Sequence, residues 1–177
     1  LFDKQQPGQE SSWAGGGILS PLYPWRYADS VTRLASASQA IYADIVREIH
    51  EESGIDPEYV RSGMLIFSPE EEETARDWAQ RWSIPLETLD RNDVSELEPA
   101  LAAPEDKAIW FPGVAQVRNP KLMKALYAIL SNRPNVRFMV DEEVNQITAL
   151  PTQEIQLETK TQNETFDKVV LCAGAWS

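Results

Sequence analysis

From Asp29 onward the chain places apolar residues at helical spacing: Val31, Leu34, Ile41, Ile45 and Ile49 share one face, and Ala35, Tyr42 and Val46 widen the stripe. The pattern predicts a helix capped by Asp29, running to about Ser53 with that stripe buried and Gly54 as its stop. Gly63 to Phe67 reads as a short apolar strand. Ser68-Pro69 and the carboxylates Glu70 to Glu73 then open a second helix. There serine caps, proline fits the first turn, and acids suit the positive end of the dipole rather than a metal. Trp78 and Trp82 stand four apart on it, a packing spacing. Lys107 to Phe111 and Val114 to Arg118 flank Pro112-Gly113, which predicts a hairpin through a type II turn. Asn119-Pro120 starts a third helix, with Leu122, Met123, Leu126, Ile129 and Leu130 on its buried side. Strand-like segments follow at Val136–Val140, Glu143–Leu150, Glu154–Lys160 and, most strongly, Asp167–Ala173.

Helices and strands do not alternate strictly, so the expected class is α+β or α/β. The expected architecture is a sheet whose strands come from distant parts of the chain, interrupted by a helix-rich insertion. Leu1-Phe2-Asp3-Lys4 reads as the end of a buried strand closing on an acid, and Asp167–Ala173 as a strand running into the small-residue corner at Gly174. Both ends look like the middle of something, and the chain is expected to be an internal piece of a longer protein.

Composition narrows the function classes. The net charge of −12 over 177 residues argues against nucleic acid or an anionic membrane surface as partner, because both need clustered Lys and Arg. The one cysteine, Cys172, sits in the run Val169-Val170-Leu171-Cys172-Ala173, where a buried small hydrophobe is expected. The one histidine, His50, is expected in solvent, which leaves zinc and Ser-His-Asp chemistry without support. No stretch is apolar enough for a spanning helix, and no signal peptide opens the chain, so the cytoplasm is the default compartment.

The segment from Ser11 to Pro21, SSWAGGGILSP, is the candidate site. Gly15, Gly16 and Gly17 let another group approach the backbone closely, and Ser11 and Ser12 supply hydroxyls. Such a segment suits a large, flat, phosphate-bearing ligand; a flexible glycine loop is the plainer reading. An acid near Asp3, then SSWAGGGILSP, the Ile66 region, AQVRNPKLMKAL and VVLCAGAWS occur in the order seen in D-amino acid oxidase-like flavoenzymes. The chain resembles that family over nearly its whole length, and within it the bacterial glycine oxidases of the thiamine pathway.

The resemblance implies FAD as cofactor and a fold in two parts. Residues 1–25 and 134–177 would form a partial Rossmann-like FAD-binding domain, and residues 26–133 part of an inserted, helix-rich, antiparallel-sheet substrate domain. It matches Asp3, followed by Lys4, to the acid that takes the ribose hydroxyls. It matches Ser11, Ser12, Gly16, Gly17 and Ile18 to the segment beside the pyrophosphate and flavin, Val144 to a backbone contact with adenine, and Gly174 to the turn near the cofactor. The family's Gly-x-Gly-x-x-Gly turn and substrate arginine have no counterpart in these residues. Arg26 and Arg118 do not match that arginine, and Arg26 is expected to pack on an aromatic face or to solvate. The implied function is oxidation of a small amino acid to its imine with hydride transfer to flavin. The piece alone is expected to be inactive, and self-association through open sheet edges is expected. A D-amino acid dehydrogenase, a sarcosine oxidase-like enzyme, a flavin domain of a tRNA-modification protein and a non-catalytic module built on Trp13, Trp25 and Tyr27 remain open alternatives.

Overall fold

The computed structural model describes residues 1–101 and 106–174. Its helices are α1 (Ser11–Ala14), α2 (Asp29–Ser53), α3 (Glu72–Trp82), α4 (Arg91–Leu97) and α5 (Asn119–Ser131). Its strands are β1 (Met64–Ile66), β2 (Glu87–Asp90), β3 (Lys107–Phe111), β4 (Val144–Ala149), β5 (Ile155–Thr159) and β6 (Asn163–Phe166).

β3 lies at the centre of an antiparallel sheet ordered β1-β3-β2, with Ile109 opposite Ile66 on one side and Thr88 on the other. The chain does not turn back after β3, contrary to the expected hairpin. Residues 114–118 keep the same neighbour: Gly63 N–H donates to Val114 O at 2.8 Å, Val60 and Gln116 exchange bonds of 2.9 and 2.8 Å, and Arg118 N–H donates to Pro57 O at 2.8 Å. Met64 faces Phe111, whereas Val60 faces Gln116, so one strand advances four residues while the other advances five. Pro112-Gly113 is therefore the site of a bulge within one long strand. A type II turn would need positive φ at the second central residue, and Gly113 is not among the positive-φ glycines.

The far edge of that long strand carries the glycine run. Leu19 N–H donates to Ala115 O and Val117 N–H to Gly17 O, both at 2.9 Å. Ala115 and Val117 point inward and are buried, while Gln116 and Arg118 point outward, the alternation a half-covered strand requires. One core gathers Met64, Ile66, Ala75, Ile109, Phe111 and Val114, with Tyr23, Trp25 and Trp78 packed on it. Trp25 stacks on Phe111 at 6.2 Å, and Trp78 meets the same ring edge-on at 6.2 Å. The second core, Val46, Val117 and Leu122, lies between α2, α5 and the long strand, and Tyr42, Ile49 and Met123 pack against it.

α2 has the expected length and ends at Gly54 in the left-handed conformation, but it is turned differently about its axis. Ala28 occupies the cap position, and Asp29, inside the first turn, forms an ion pair with Arg81 instead of capping. Thr32 and Val46 are buried, and the Trp78 indole N–H donates to Thr32 Oγ1 at 3.4 Å. Val31, Leu34, Ile41 and Ile45 are exposed, Leu34 at 73%. The apolar arc of α2 is wider than the surface α5 and Trp78 offer it, so these packing partners, rather than hydrophobic periodicity, select which part is covered.

Other departures are local. Ser68 makes no side-chain cap bond; Pro69–Glu71 is a 3-10 turn leading into α3. β2, α4 and β6 occupy stretches without an expected element. α4 is started by a capping box: the Asp90 carboxylate accepts from Asn92 N–H at 2.8 Å and Asp93 N–H at 3.0 Å, while Asp93 accepts from Asp90 N–H at 3.1 Å. The second sheet, ordered β4-β5-β6, is an antiparallel meander with Leu157 and Thr159 buried. Residues 1–3 form an isolated parallel bridge from Phe2 to Met139, and the Phe2 ring meets Phe166 of β6 edge-on at 6.0 Å.

Leu1 is exposed, and Val136–Val140 contributes only the Met139 bridge. Asp167–Ala173 forms no strand: Val170 is 84% exposed and Cys172 is exposed rather than buried. No strand among the described residues pairs with it, and β-branched sequence without a neighbour cannot satisfy its backbone groups as a strand.

The contrast between β3 and α2 is measurable. Ile109→Ala, at 1% exposure, is expected to lower unfolding free energy by about 2–5 kcal/mol in a denaturant titration. Leu34→Ala is expected to stay within about 0.5 kcal/mol of the parent.

Candidate cofactor site

The three consecutive glycines have different reasons to be glycine. Gly17 has φ +76, and a Cβ there would sit 2.0 Å from Val117 O, so the strand pairing itself forbids a side chain. A Cβ on Gly15 would meet Asn119 Nδ2 at 2.5 Å. A Cβ on Gly16 would meet nothing within 4 Å. Gly16 is thus the one position of the run where the backbone is open to an incoming group.

Ile18 follows, exposed, and bridges Gln116, which also bridges Val60. Directly opposed residues share a sheet face, so Ile18, Gln116 and Val60 form one exposed row. Before the glycines, α1 closes when Gly15 N–H donates to Ser11 O at 3.1 Å. Ser11 and Ser12 are exposed at the start of that short helix, their hydroxyls without a hydrogen bond among the described residues. α1 is held against α5, where Lys124 lies 5.6 Å from the Trp13 ring centre.

Asp3 is fixed by its neighbours. Its N–H donates to Met139 O at 3.0 Å, its carbonyl accepts from Glu142 N–H at 2.9 Å, and its Oδ1 accepts from Gln5 N–H at 2.9 Å. Oδ2 has no hydrogen bond among the described residues. Lys4 pairs with Glu10 at 3.8 Å, directly before α1, which links the Asp3-Lys4 corner to Ser11 and Ser12. Val144 opens β4 two residues beyond Glu142, opposite Thr159 and next to a register shift, and is half-buried. Gly174 has φ +58 and open space around it, and no hydrogen bond among the described residues ties it to these groups. Ala175, the next residue of that corner, lies outside the described residues.

An acid oxygen, two hydroxyls and an open stretch of backbone are donor and acceptor types that fit a nucleotide with vicinal hydroxyls, phosphates and a flat ring.

A clamp that sequence reasoning missed orients the chain leaving this segment. Tyr23 adopts φ +52 ahead of a 3-10 turn, Pro24–Arg26. The Arg26 guanidinium lies 3.9 Å over the Tyr23 ring, the aromatic contact expected of it, and its Nε donates to Glu71 Oε2 at 2.9 Å. Its second nitrogen reaches Glu71 Oε1, and the Trp25 indole N–H also donates to Glu71. The Arg26 hydrogen bond, and then that of Trp25, hold the Glu71 carboxyl down at about 2. Glu71 had read only as an acid at a helix start; nothing in one sequence marks which arginine lies 45 residues away in the chain but adjacent in space. Because Trp25 is stacked into the core, it is not available to an exposed Trp13–Trp25–Tyr27 patch.

The whole chain, residues 1–177, matches the family described as DAO, FAD dependent oxidoreductase, and the chain belongs to that family. It is 39% identical over 177 residues to a glycine oxidase of Pseudomonas putida, covering 100% of this chain and 48% of that protein. A glycine oxidase of Pseudomonas aeruginosa is 36% identical over 177 residues, covering 100% of this chain and 49% of that one. The crystal structure of glycine oxidase from Geobacillus kaustophilus superimposes with a TM-score of 0.87 at 27% identity, over 99% of this chain and 48% of that chain. The chain spans about half the length of the curated relatives it matches. No helix among the described residues is long and apolar enough to cross a membrane.

Two outcomes follow from the local geometry. Gly17→Ala is expected to cost more than about 1 kcal/mol of stability, and Gly16→Ala less than about 0.5 kcal/mol, as read by denaturant midpoints. The Glu71 carboxyl titrates lower folded than unfolded, so its contribution is complete above pH 4.5 and disappears as pH falls through about 2. The gap in melting temperature between the parent and Glu71→Gln is expected to be widest near neutral pH and to close over that interval.

Proposed function

We propose that this chain supplies the cofactor-contacting segment and part of the substrate domain of an FAD-dependent oxidase of glycine or another small amino acid. The observation that carries the reading is the whole-chain family match, together with a Gly16 backbone that nothing of the chain covers and an Asp3 carboxylate oriented by Gln5 N–H. Residues 1–25 and 134–177 belong with the cofactor and residues 26–133 with the substrate side.

Asp3 is assigned to the ribose hydroxyls: Gln5 N–H orients the carboxylate, and Oδ2 is left to accept from a ligand hydroxyl. Lys4 holds Glu10 at the entry to α1 and so positions Ser11 and Ser12, whose hydroxyls donate to phosphate oxygens. Gly16 and Gly17 present backbone without side chains, and Ile18 covers a ring face with its apolar side chain. Val144 offers its backbone to adenine, and Gly174 closes the corner near the cofactor. When bound, FAD would supply the acceptor for a hydride from a substrate Cα–H, and loss of a proton from the amine nitrogen would complete the conversion to an imine. The chain's own part is to hold and orient that group and to shield it from water. The 177 residues contain no Gly-x-Gly-x-x-Gly turn, so the isolated chain is expected to hold flavin at well below one equivalent and to be inactive. The glycine oxidase names of the relatives favour glycine as substrate.

The test is a chimera in which this chain replaces the matching segment of the Pseudomonas putida glycine oxidase. It is expected to purify with flavin absorbance near one equivalent and to release peroxide with glycine. Asp3→Ala in the chimera is expected to weaken FAD binding by about tenfold or more, the loss of a charge-assisted hydrogen bond. A folded chimera that stays colourless with added FAD would reject the reading.

A further inference from the structure

α2 spans both cores, and between them its inner flank loses its cover. Thr32 and Val46 are buried towards the two ends of that flank. Ser36, Gln39 and Ala40 lie between them at helical spacing, half-buried or exposed. Opposite them is the strand bulge, where a Cβ on Gly113 would meet nothing within 4 Å. Gly113, Ala115 and Leu19 form, with these α2 residues, the wall of a cavity of about 210 Å³. Tyr59 and Arg61 complete the lining. They flank Val60, which is held by its two bonds to Gln116 and belongs to the exposed row, so strand alternation turns both neighbours to the α2 side with Ala115.

The polar groups here are unmatched. Arg61 has no ion pair and no hydrogen bond among the described residues. Acids are not scarce: the chain has 28 against 16 bases, and Arg26, Arg76, Arg81 and Arg118 each meet a carboxylate. The hydroxyls of Ser36 and Tyr59 are likewise without a hydrogen bond among the described residues. Only Gln39 is engaged, its amide nitrogen donating to Leu19 O. A guanidinium and two hydroxyls are donors suited to a planar oxyanion, and Leu19, Ala40 and Ala115 offer apolar contact to a short stem. The volume is about seven times the share of one water in the liquid, which suits a carboxylate of about five carbons. No acid lines the cavity, so the ammonium of an amino acid would be left unpaired there. We propose that the cavity between α2 and the bulge binds a short-chain organic carboxylate without an ammonium group, its carboxylate on Arg61 and its carbon stem against Leu19 and Ala115. The site lies on the α2 side of the long strand, opposite the row Ile18–Gln116–Val60, and makes no use of the flavin assignment.

The test is a titration of the 177-residue chain, followed by the amide resonances of Ser36, Arg61 and Gly113. The probe is isovalerate; valine adds an ammonium to the same skeleton, 3-methylbutylammonium reverses the charge, and inorganic phosphate is an oxyanion with no stem. Isovalerate is expected to give saturable shifts at all three positions. Valine and phosphate are expected to bind at least about tenfold more weakly, and 3-methylbutylammonium not at all. Arg61→Gln is expected to weaken isovalerate by about tenfold or more, and Arg61→Lys by less, because a lysine keeps the charge and loses the planar fork. Arg33→Gln is the control: Arg33 is exposed, without an ion pair among the described residues, and not part of the lining, so its replacement is expected to leave binding unchanged. The absence of saturable shifts would overturn the proposal, as would equal affinity for valine, preference for phosphate, or undiminished binding by Arg61→Gln. A chain without dispersed amide resonances holds no such cavity and counts against it as well. Neither flavin nor turnover enters the measurement, so a colourless chimera rejects only the oxidase reading, and a cavity that binds nothing rejects only this one.

Discussion

The long strand from Lys107 to Arg118 is the constraint on which the rest depends. Both of its edges are paired: residues 57–66 run along one, and β2 and the segment Gly17–Leu19 lie along different stretches of the other. Every other placement in the first half of the chain follows from it. Gly17 must accept a backbone carbonyl at the position of its missing Cβ, α1 must close before that contact, and α5 must begin where the strand ends, at Asn119. The bulge at Pro112-Gly113 lets one strand serve two neighbourhoods: the aromatic core on one side of the bend and the candidate site on the other.

The clamp around Glu71 does comparable work for the connection leaving the glycine run. An indole and a guanidinium converge on one carboxylate, with the Tyr23 ring beneath the guanidinium, which ties residues 23–26 to the turn before α3. The carboxylate is unusually acidic because two donors favour its charged form, not because it is buried. It anchors the backbone that follows the glycine run to the start of α3.

What was legible in the sequence depended on whether the signal was local. Gly54 ended α2 and Asn119-Pro120 began α5 because both act through backbone conformation within one turn. β1, β4 and β5 followed from alternation and β-branched composition. The Pro-Gly pair misled because either a turn or a bulge accommodates it, and the choice belongs to a neighbouring strand some fifty residues earlier in the chain. Of the expected stripe on α2, Tyr42, Val46 and Ile49 pack into the second core while Val31, Leu34, Ile41 and Ile45 are exposed, because the apolar arc is wide enough to offer two candidate faces. Asp167–Ala173 had strand composition, but a strand needs a partner, and none of the described residues provides one.

The candidate site shows the same division. Sequence alone determined the chemistry on offer: an acid at Asp3, hydroxyls at Ser11 and Ser12, and a run of three glycines, in an order shared with flavoenzymes. Only the tertiary structure decided that Gly15 and Gly17 are small to fit the chain's own strand and Asn119, and that Gly16 is small with nothing of the chain near it. It also decided that Asp3 and α1 are joined through Lys4 and Glu10. Residue type is a property of one position, but open space and proximity are properties of how distant segments pack.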